Sequence, residues 1–512
     1  MFRVLCVFAL LATFVALEAY AETQSVKVSG DITVHSFWRR AYDLQTHPTE
    51  PDSNVVAFTN RTGFTGPDET WWMSTTEVQV DANMTDNVST CVRLVNERDW
   101  NVATKATNVN TPISTEYFGA EQREFDVGVD LAYVTLKDFI YAPLTLTIGR
   151  QDLWMGKGFI IGSNQRLDKG NYVAGAAAGY PKQGLQGATV NGINAPEYTT
   201  YNAFDAVKAV LDYNPWTLTS IYSKIWENSI ADSDDIDLYG TNVGYKFDQY
   251  KAEAEGYWFF KKDNSVTKWR TIDQSNDVHT IGLRGNLDPI DVMTINVEGA
   301  YQFGQYTGAR QQEGRRDRSA WAFDAGFEWR YLADKFSWKP KFGTEYIFYS
   351  GNKEEENVQT IEGAYNGWDR MFRGKTDSKV REWIGTYYAT ARFPFIASAN
   401  RNQPQTADAS YQNQHQVVFT GSVQPIESLT LKGNCNLFWA HEPISMIAAD
   451  GSIRASAVEK QYIGTELDLE AIWDYTEDVS FGVLGGWFFP GDLYGDLSDA
   501  ATDLVGTVKV NF

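Results

Sequence analysis

A chain of 512 residues with a formal net charge of -22 argues against nucleic acid as a partner. Three cysteines exclude a disulfide-built scaffold, because Cys6 lies in an N-terminal apolar stretch and Cys91 and Cys435 have no need to pair. Beyond that stretch no apolar run nears the length of a membrane helix, yet mean hydropathy of -0.37 coexists with 14% aromatic residues, a share suited to the interfacial girdles of a barrel whose membrane signal is hidden in alternation.

In chain order, Arg3 supplies a positive start, residues 4–17 are apolar apart from Thr13, and Ala19-Tyr20-Ala21 forms a small-x-small site. This is the pattern of a secretory signal peptide over residues 1–21, too short to span a bilayer as a helix. Cys6 falls well before the cleavage site, so no lipoprotein anchor is expected. Residues 22–512 are expected to form a single β-barrel domain in the bacterial outer membrane.

Period-2 alternation runs from Val26 to the last residue. Val78, Val80, Ala82 and Met84 share one face and Gln79, Asp81 and Asn83 the other; Thr85-Asp86-Asn87 turns the chain, and Val88, Thr90, Val92 and Leu94 resume the apolar face. Val127, Val129, Leu131 and Tyr133 form the next apolar face, followed across Pro143 by Leu144, Leu146 and Ile148. Val207, Ala209, Leu211 and Tyr213 lead into an Asn214-Pro215 turn. Ile295, Val297, Tyr301 and Phe303, then Phe323, Phe327 and Trp329, then Leu467, Leu469 and Trp473 repeat the plan against Glu298, Glu328, Glu466 and Asp468.

Turns near 85–87, 138–143, 214–215, 248–250, 287–291, 332–338, 424–428 and 474–478 are short. The stretches 43–69, 99–121, 156–203, 227–238, 262–277, 304–318, 351–413, 440–460 and 490–502 are long and polar. One strand per interval predicts an all-β, transmembrane antiparallel barrel of about 18 strands, with short periplasmic turns and long extracellular loops. Residues 351–413 are either one long loop or hold an extra hairpin. The chain ends on Phe512, with Val510, Val508, Gly506 and Leu504 on its face, which looks like the assembly signal of such barrels. A soluble sandwich fits less well, because the polar face is rich in ionisable groups suited to an aqueous lumen.

Several segments resemble the alginate export family: AYVTLKDF with PLTLTIGRQDLWMGKGFIIG (within residues 132–162), FDAVKAVLDYNPWTL (204–218), TIGLRGNLDPIDVMTINVEGAYQFG (280–304), WKPKFGTEYIFYSGN (338–352) and IGTELDLEAIWDYTEDVSFGVLGGWFFPGD (463–492). The resemblance covers most of the mature chain. It implies an eighteen-stranded outer-membrane barrel, whose best-known relatives pass the polyanion alginate through a base-lined lumen. This sequence departs from that lining. Parity places Arg93, Lys208, Arg284, Arg330 and Lys341 on the lumen face, but also Asp81, Asp126, Asp130, Asp212, Glu298, Asp324, Glu328, Glu345, Glu466, Asp468 and Glu470. Of these, Arg93, Lys208, Arg284, Glu298, Arg330, Lys341, Glu345, Glu466 and Asp468 are candidate selectivity residues. Arg150 joins them conditionally. Parity sets it on the lipid face, so either Gly149 begins a bulge that turns it inward, the favoured alternative, or the strand has already left the hydrocarbon.

Catalytic patterns are absent: His441-Glu442 lacks a second histidine, and no Gly-x-Ser-x-Gly elbow, phosphate loop or paired-cysteine metal site occurs. His35 and His279 are expected in strands, and His47, His415 and His441 in or beside loops, all structural or simply exposed. The cluster Asp232, Asp234, Asp235 and Asp237 has oxygen ligands for Ca²⁺ but no EF-hand spacing, so a solvated loop is expected. Residues 354–356, three glutamates, are read the same way. The expectation is a monomeric passive channel without a cofactor, gated by residues 156–203 and 351–413. Its partners would be membrane lipid, a polysaccharide or small hydrophilic solute, and a periplasmic secretion partner. The alternatives are a diffusion porin with no polysaccharide role, and a barrel adhesin or enzyme.

Overall fold

A computed structural model describes residues 24–42, 44, 68–100, 127–164, 195–227, 235–264, 276–307, 315–333, 335–351, 363–374, 378–381, 384, 412–444, 460–494 and 498–512. The expected signal peptide therefore lies outside the described residues. The strands are β1 (Ser25–Arg40), β2 (Asp68–Thr85), β3 (Val88–Asp99), β4 (Gly128–Leu136), β5 (Leu144–Gln151) and β6 (Phe204–Tyr213). Then follow β7 (Trp216–Trp226), β8 (Ile236–Phe247), β9 (Ala252–Asp263), β10 (Asn276–Ile290), β11 (Met293–Thr307) and β12 (Arg315–Trp329). The last six are β13 (Lys341–Tyr349), β14 (Gln414–Ile426), β15 (Leu429–Ile444), β16 (Lys460–Asp474), β17 (Val479–Pro490) and β18 (Ala501–Asn511).

Each strand pairs antiparallel with its chain neighbours, and β18 pairs with β1, so the 18-stranded sheet closes and no backbone edge is left open. Phe512 completes the seam: its N–H donates to Gly30 O at 3.0 Å and its carbonyl accepts from Gly30 N at 2.9 Å. The turns fall where the polar breaks predict, including Asn214-Pro215 between β6 and β7. Among the described residues no strand lies between β13 and β14, and most of 351–413, expected to be one long loop or to hold an extra hairpin, lies outside them.

Alternation sorts the side chains. Leu283 in mid-β10 is 72% exposed on the outside, while its neighbour Arg284 turns inward and is largely buried. On the outer face Tyr222, Tyr239, Phe260, His279 and Phe303 stand in register across β7–β11, with ring centroids 5.2, 5.9, 4.1 and 5.0 Å apart in turn. One pleat nearer the long-loop end, Asp205, Lys224, Asp237 and Lys262 form an aligned row of alternating charge. Tyr213, Trp216, Tyr245 and Phe247 mark the short-turn end. Aromatic girdles bounding an apolar band, with charge beyond, describe a wall built to sit in lipid.

One expectation about the wall is corrected. Leu131 and Tyr133 do not continue the outer face of Val127 and Val129. The β3–β4 register slips between Arg93 and Leu94, a bulge at Asp130 that reverses parity, so Leu131 packs inside against Cys91 and Ala203 with Tyr133 beside it. The bulge lets Asp130 bond Arg93 while Leu131 also faces inward. His415 and His441, expected in or beside loops, stand beside them at the long-loop ends of β14 and β15, 3.1 Å apart on the outer face, with Tyr346 Oη 2.7 Å from His415 Nδ1.

A conduit narrowed by four inward segments

The long loops do not all stay outside. Residues 152–164, after β5, and 363–374, between β13 and β14, fold into the barrel and join. Gly162 and Ser163 donate to Phe372 O at 2.7 and 3.0 Å, Phe372 N donates to Ile160 O at 2.9 Å, and Gly374 N donates to Gly158 O at 2.8 Å. Phe159, Ile160 and Ile161 with Trp368, Met371 and Phe372 pack on inward residues of the wall such as Phe204, Phe259, Val278 and Ile347. Each such burial is worth roughly 1.5–3 kcal/mol, enough to hold two loops that lack regular structure of their own.

Polar clamps set their position. Gln302 on β11 donates to Asp369 O at 2.7 Å and accepts from Asp369 N at 2.8 Å. Lys261 on β9 reaches both Asp369 oxygens at 2.6 Å, and Met371 N donates to the same carboxylate at 2.9 Å. Burial pushes the Asp369 carboxyl up, but Lys261 and Arg318 outweigh it and hold it down at about 2. Arg318 donates to Gly367 O at 2.7 Å. Lys157, from the first segment, bonds Glu345 and approaches Asp324 at 3.8 Å.

Opposite, residues 195–203 lie on β1–β4. Glu97 accepts from Thr199 Oγ1 at 2.7 Å, Thr200 N at 2.6 Å and Thr200 Oγ1 at 3.0 Å, and Arg39 pairs with Glu197 and, at 3.1 Å, with Asp503. Tyr198 packs on His35 and Phe37. A fourth segment, residues 378–381 with 384, is held by Glu466 on β16, which accepts from Ser378 Oγ at 3.1 Å and from the amides of Lys379, Val380 and Arg381 at 2.6, 3.3 and 2.6 Å. Ile384 N then bonds Val380 O at 3.0 Å, so the carboxylate caps the positive end of a helical turn. Glu466→Gln presents an amide N–H to donors and removes the charge, a loss of roughly 1.5–3 kcal/mol per charged bond. We expect a cysteine placed at Lys379 to react with a soluble maleimide about 10–100-fold faster in that background; equal rates would refute the anchor.

The candidate residues find distinct places. Arg93, Lys208, Arg284, Glu298, Lys341, Glu345, Glu466 and Asp468 face the lumen, and Arg330 sits at the short-turn end beside Glu328, at 2.8 Å. Arg93 bonds Asp130 at 2.7 Å, Arg284 bonds Glu255, and Glu298 accepts from Tyr257 Oη at 2.7 Å. Lys208 and Lys341 have no ion pair within 4.0 Å among the described residues. Arg150 is the correction. Its register with Asp205 is unbroken, so Gly149 starts no bulge, and Arg150 stays on the outer face, 3.4 Å from an Asp205 that is 63% exposed. The strand ends one residue later, beyond the aromatic row.

Lys261, Asp369, Gln302, Glu97 and Lys157 were not singled out by the sequence. Lys261 shares the inward parity of Tyr257 and Phe259 and was legible in principle. Asp369 and Lys157 lie in segments with no periodicity to read. In the acidic cluster, Asp235 and Asp237 bond Lys224 at 3.0 and 3.1 Å, while Asp232 and Asp234 lie outside the described residues. Among the described residues no three His, Cys, Asp or Glu side chains gather as a metal site.

A family model described as Alginate export matches residues 57–507. No curated protein matches the chain. Among solved structures, Pseudomonas aeruginosa OccK11 (OpdR) is 10% identical, covers 95% of this chain and 96% of its own, and has a TM-score of 0.47. Acinetobacter baumannii OccAB1 is 9% identical over 96% of this chain and 99% of its own, with a TM-score of 0.48. Pseudomonas aeruginosa OccK2 (OpdF), in complex with glucuronate, is 11% identical over 96% and 98%, with a TM-score of 0.47.

Proposed function

The chain belongs to the alginate export family and is an outer-membrane channel, and we propose that it passes small hydrophilic solutes in single file, favouring neutral and cationic ones. The observation that carries this is the pairing of lumen bases with acids in the narrowed half: Arg93 with Asp130, Lys157 with Glu345, Arg284 with Glu255 and Lys261 with Asp369. Neutralised bases leave no positive ladder there to draw a polyanion, and Glu298, Glu466 and Asp468 add further buried acids on the lumen side of the wall. The reading takes one chain per pore, since the seam between β1 and β18 is sealed. It assigns no chemistry to the chain; the paired histidines His415 and His441 stand on the outer face, away from the solute.

A second reading, export of alginate with a periplasmic secretion partner, is favoured by family membership and by the unpaired Lys208 and Lys341. Planar-bilayer recording separates the two. Under the first, a salt gradient gives a reversal potential of the sign for cation preference, and alginate leaves the current unchanged. Anion preference with block by alginate would replace it with the second, and a silent protein would refute both.

A further inference from the structure

Below the fourth inward segment the lumen wall holds a recess of about 290 Å³ on β13–β17. Its depth comes from small residues. In one lumen-facing row Gly343, Thr420, Asn434, Asp468 and Gly486 stand in register, and in the next row toward the short turns Lys341, Ser422, Lys432 and Glu470 do so. Lys379 roofs the recess from the segment that Glu466 anchors. A Cβ on Gly486 would come within 2.8 Å of Asp468 Oδ1 and 2.7 Å of Val380, so the glycine makes room for both the carboxylate and the roof.

The charges inside are unbalanced in position. Asp468 is 2% exposed and lines the recess beside Glu466, Asn434 and Lys379, and neither of its oxygens meets a donor in good hydrogen-bond geometry. A buried carboxyl whose neighbours satisfy it poorly is costly, and such a group in a lined cavity marks a place for a ligand donor. Lys341 and Lys379 have no ion pair within 4.0 Å among the described residues, and the nearest acid to Lys432 is Glu470 at 3.7 Å. Glu328 lies at the far edge. The recess thus offers a buried acceptor in its wall and ammonium groups at its roof and rim. Neither a plain anion nor a plain cation satisfies both.

We propose that this recess is a solute subsite for zwitterions of amino-acid to dipeptide size, with the ligand ammonium on Asp468 and its carboxylate on Lys341 and Lys379. The volume is at the small end of ligand sites, in keeping with so small a guest. The subsite rests on the reading of the lumen as a solute path, and extends it from charge preference to a chemical class.

The test is calorimetric titration of the whole detergent-purified barrel with glycylglycine, acetate and ethylammonium, run beside bilayer recording of the same preparation. Glycylglycine should saturate, and the two singly charged probes should bind at least about tenfold more weakly. Asp468→Asn and the rim variant Lys341→Gln should each weaken glycylglycine by about tenfold. Acetate binding as well as glycylglycine, with Asp468→Asn indifferent, would overturn the proposal in favour of a simple anion site. Absence of saturation in a conducting pore would overturn it outright. Saturation in a pore that does not conduct would leave the subsite standing and remove the channel reading instead.

Discussion

Asp369→Asn is expected to release the inward segment 363–374 and raise both the size and the noise of single-channel currents. The wild-type carboxylate holds Lys261 at 2.6 Å through both oxygens, and both side chains are largely buried. Removing one partner of such a pair strands the other charge, at a cost of roughly 3–5 kcal/mol. Since about 1.4 kcal/mol is tenfold in an equilibrium, the released state should become at least about a hundredfold more populated. Protease cleavage within 363–374 should rise in step. The double variant Asp369→Leu/Lys261→Met, which replaces both charges by apolar groups, should recover much of the wild-type behaviour. Unchanged conductance and unchanged cleavage in the single variant would dismiss the clamp as a determinant of the constriction.

The sign of the pH dependence follows from the same pair. A carboxyl held down at about 2 when folded, against an ordinary value of about 3.9, contributes stability that is complete above the ordinary value and is lost as pH falls through about 2. The wild-type conductance should therefore show no step assignable to this clamp between about pH 5 and 8. The Asp369→Asn phenotype should persist across that whole window, and a wild-type step near neutrality that vanishes in the variant would contradict the assignment.

Leu283→Arg should impair assembly more than any change on the lumen side of the same strand. Leu283 sits near the middle of β10, 72% exposed on the outer face, between the two aromatic girdles. An arginine at the bilayer midplane of a barrel costs roughly 2–4 kcal/mol. Reversible unfolding in lipid vesicles should show that loss, while barrels that do fold conduct normally, because the side chain never meets the solute path. A loss below about 1 kcal/mol would mean that this part of the strand lies outside the hydrocarbon.

The wall was legible from the sequence because its rules are local. Period 2 places Leu283 outside and Arg284 inside, and turn residues such as Asn214-Pro215 end the strands, with no knowledge of what lies across the barrel. The same parity assigned Arg93, Lys208, Glu345 and Glu466 to the lumen. It failed at Leu131 and Tyr133, where one inserted residue in β4 reverses every later face of the strand. The expected inward bulge at Gly149 failed in the other direction, since Arg150 stays outside and meets Asp205, a partner 55 positions away.

What the sequence determined by itself, then, is a closed lipid-facing barrel of this strand number and the inner or outer address of most wall residues. Only the tertiary structure decided the constriction. Lys261 meets Asp369 across 108 positions, and Thr199 meets Glu97 across 102. The segments 152–164 and 363–374 have no periodicity of their own and are positioned by the wall they bury against, so their course exists only once the barrel has closed around them.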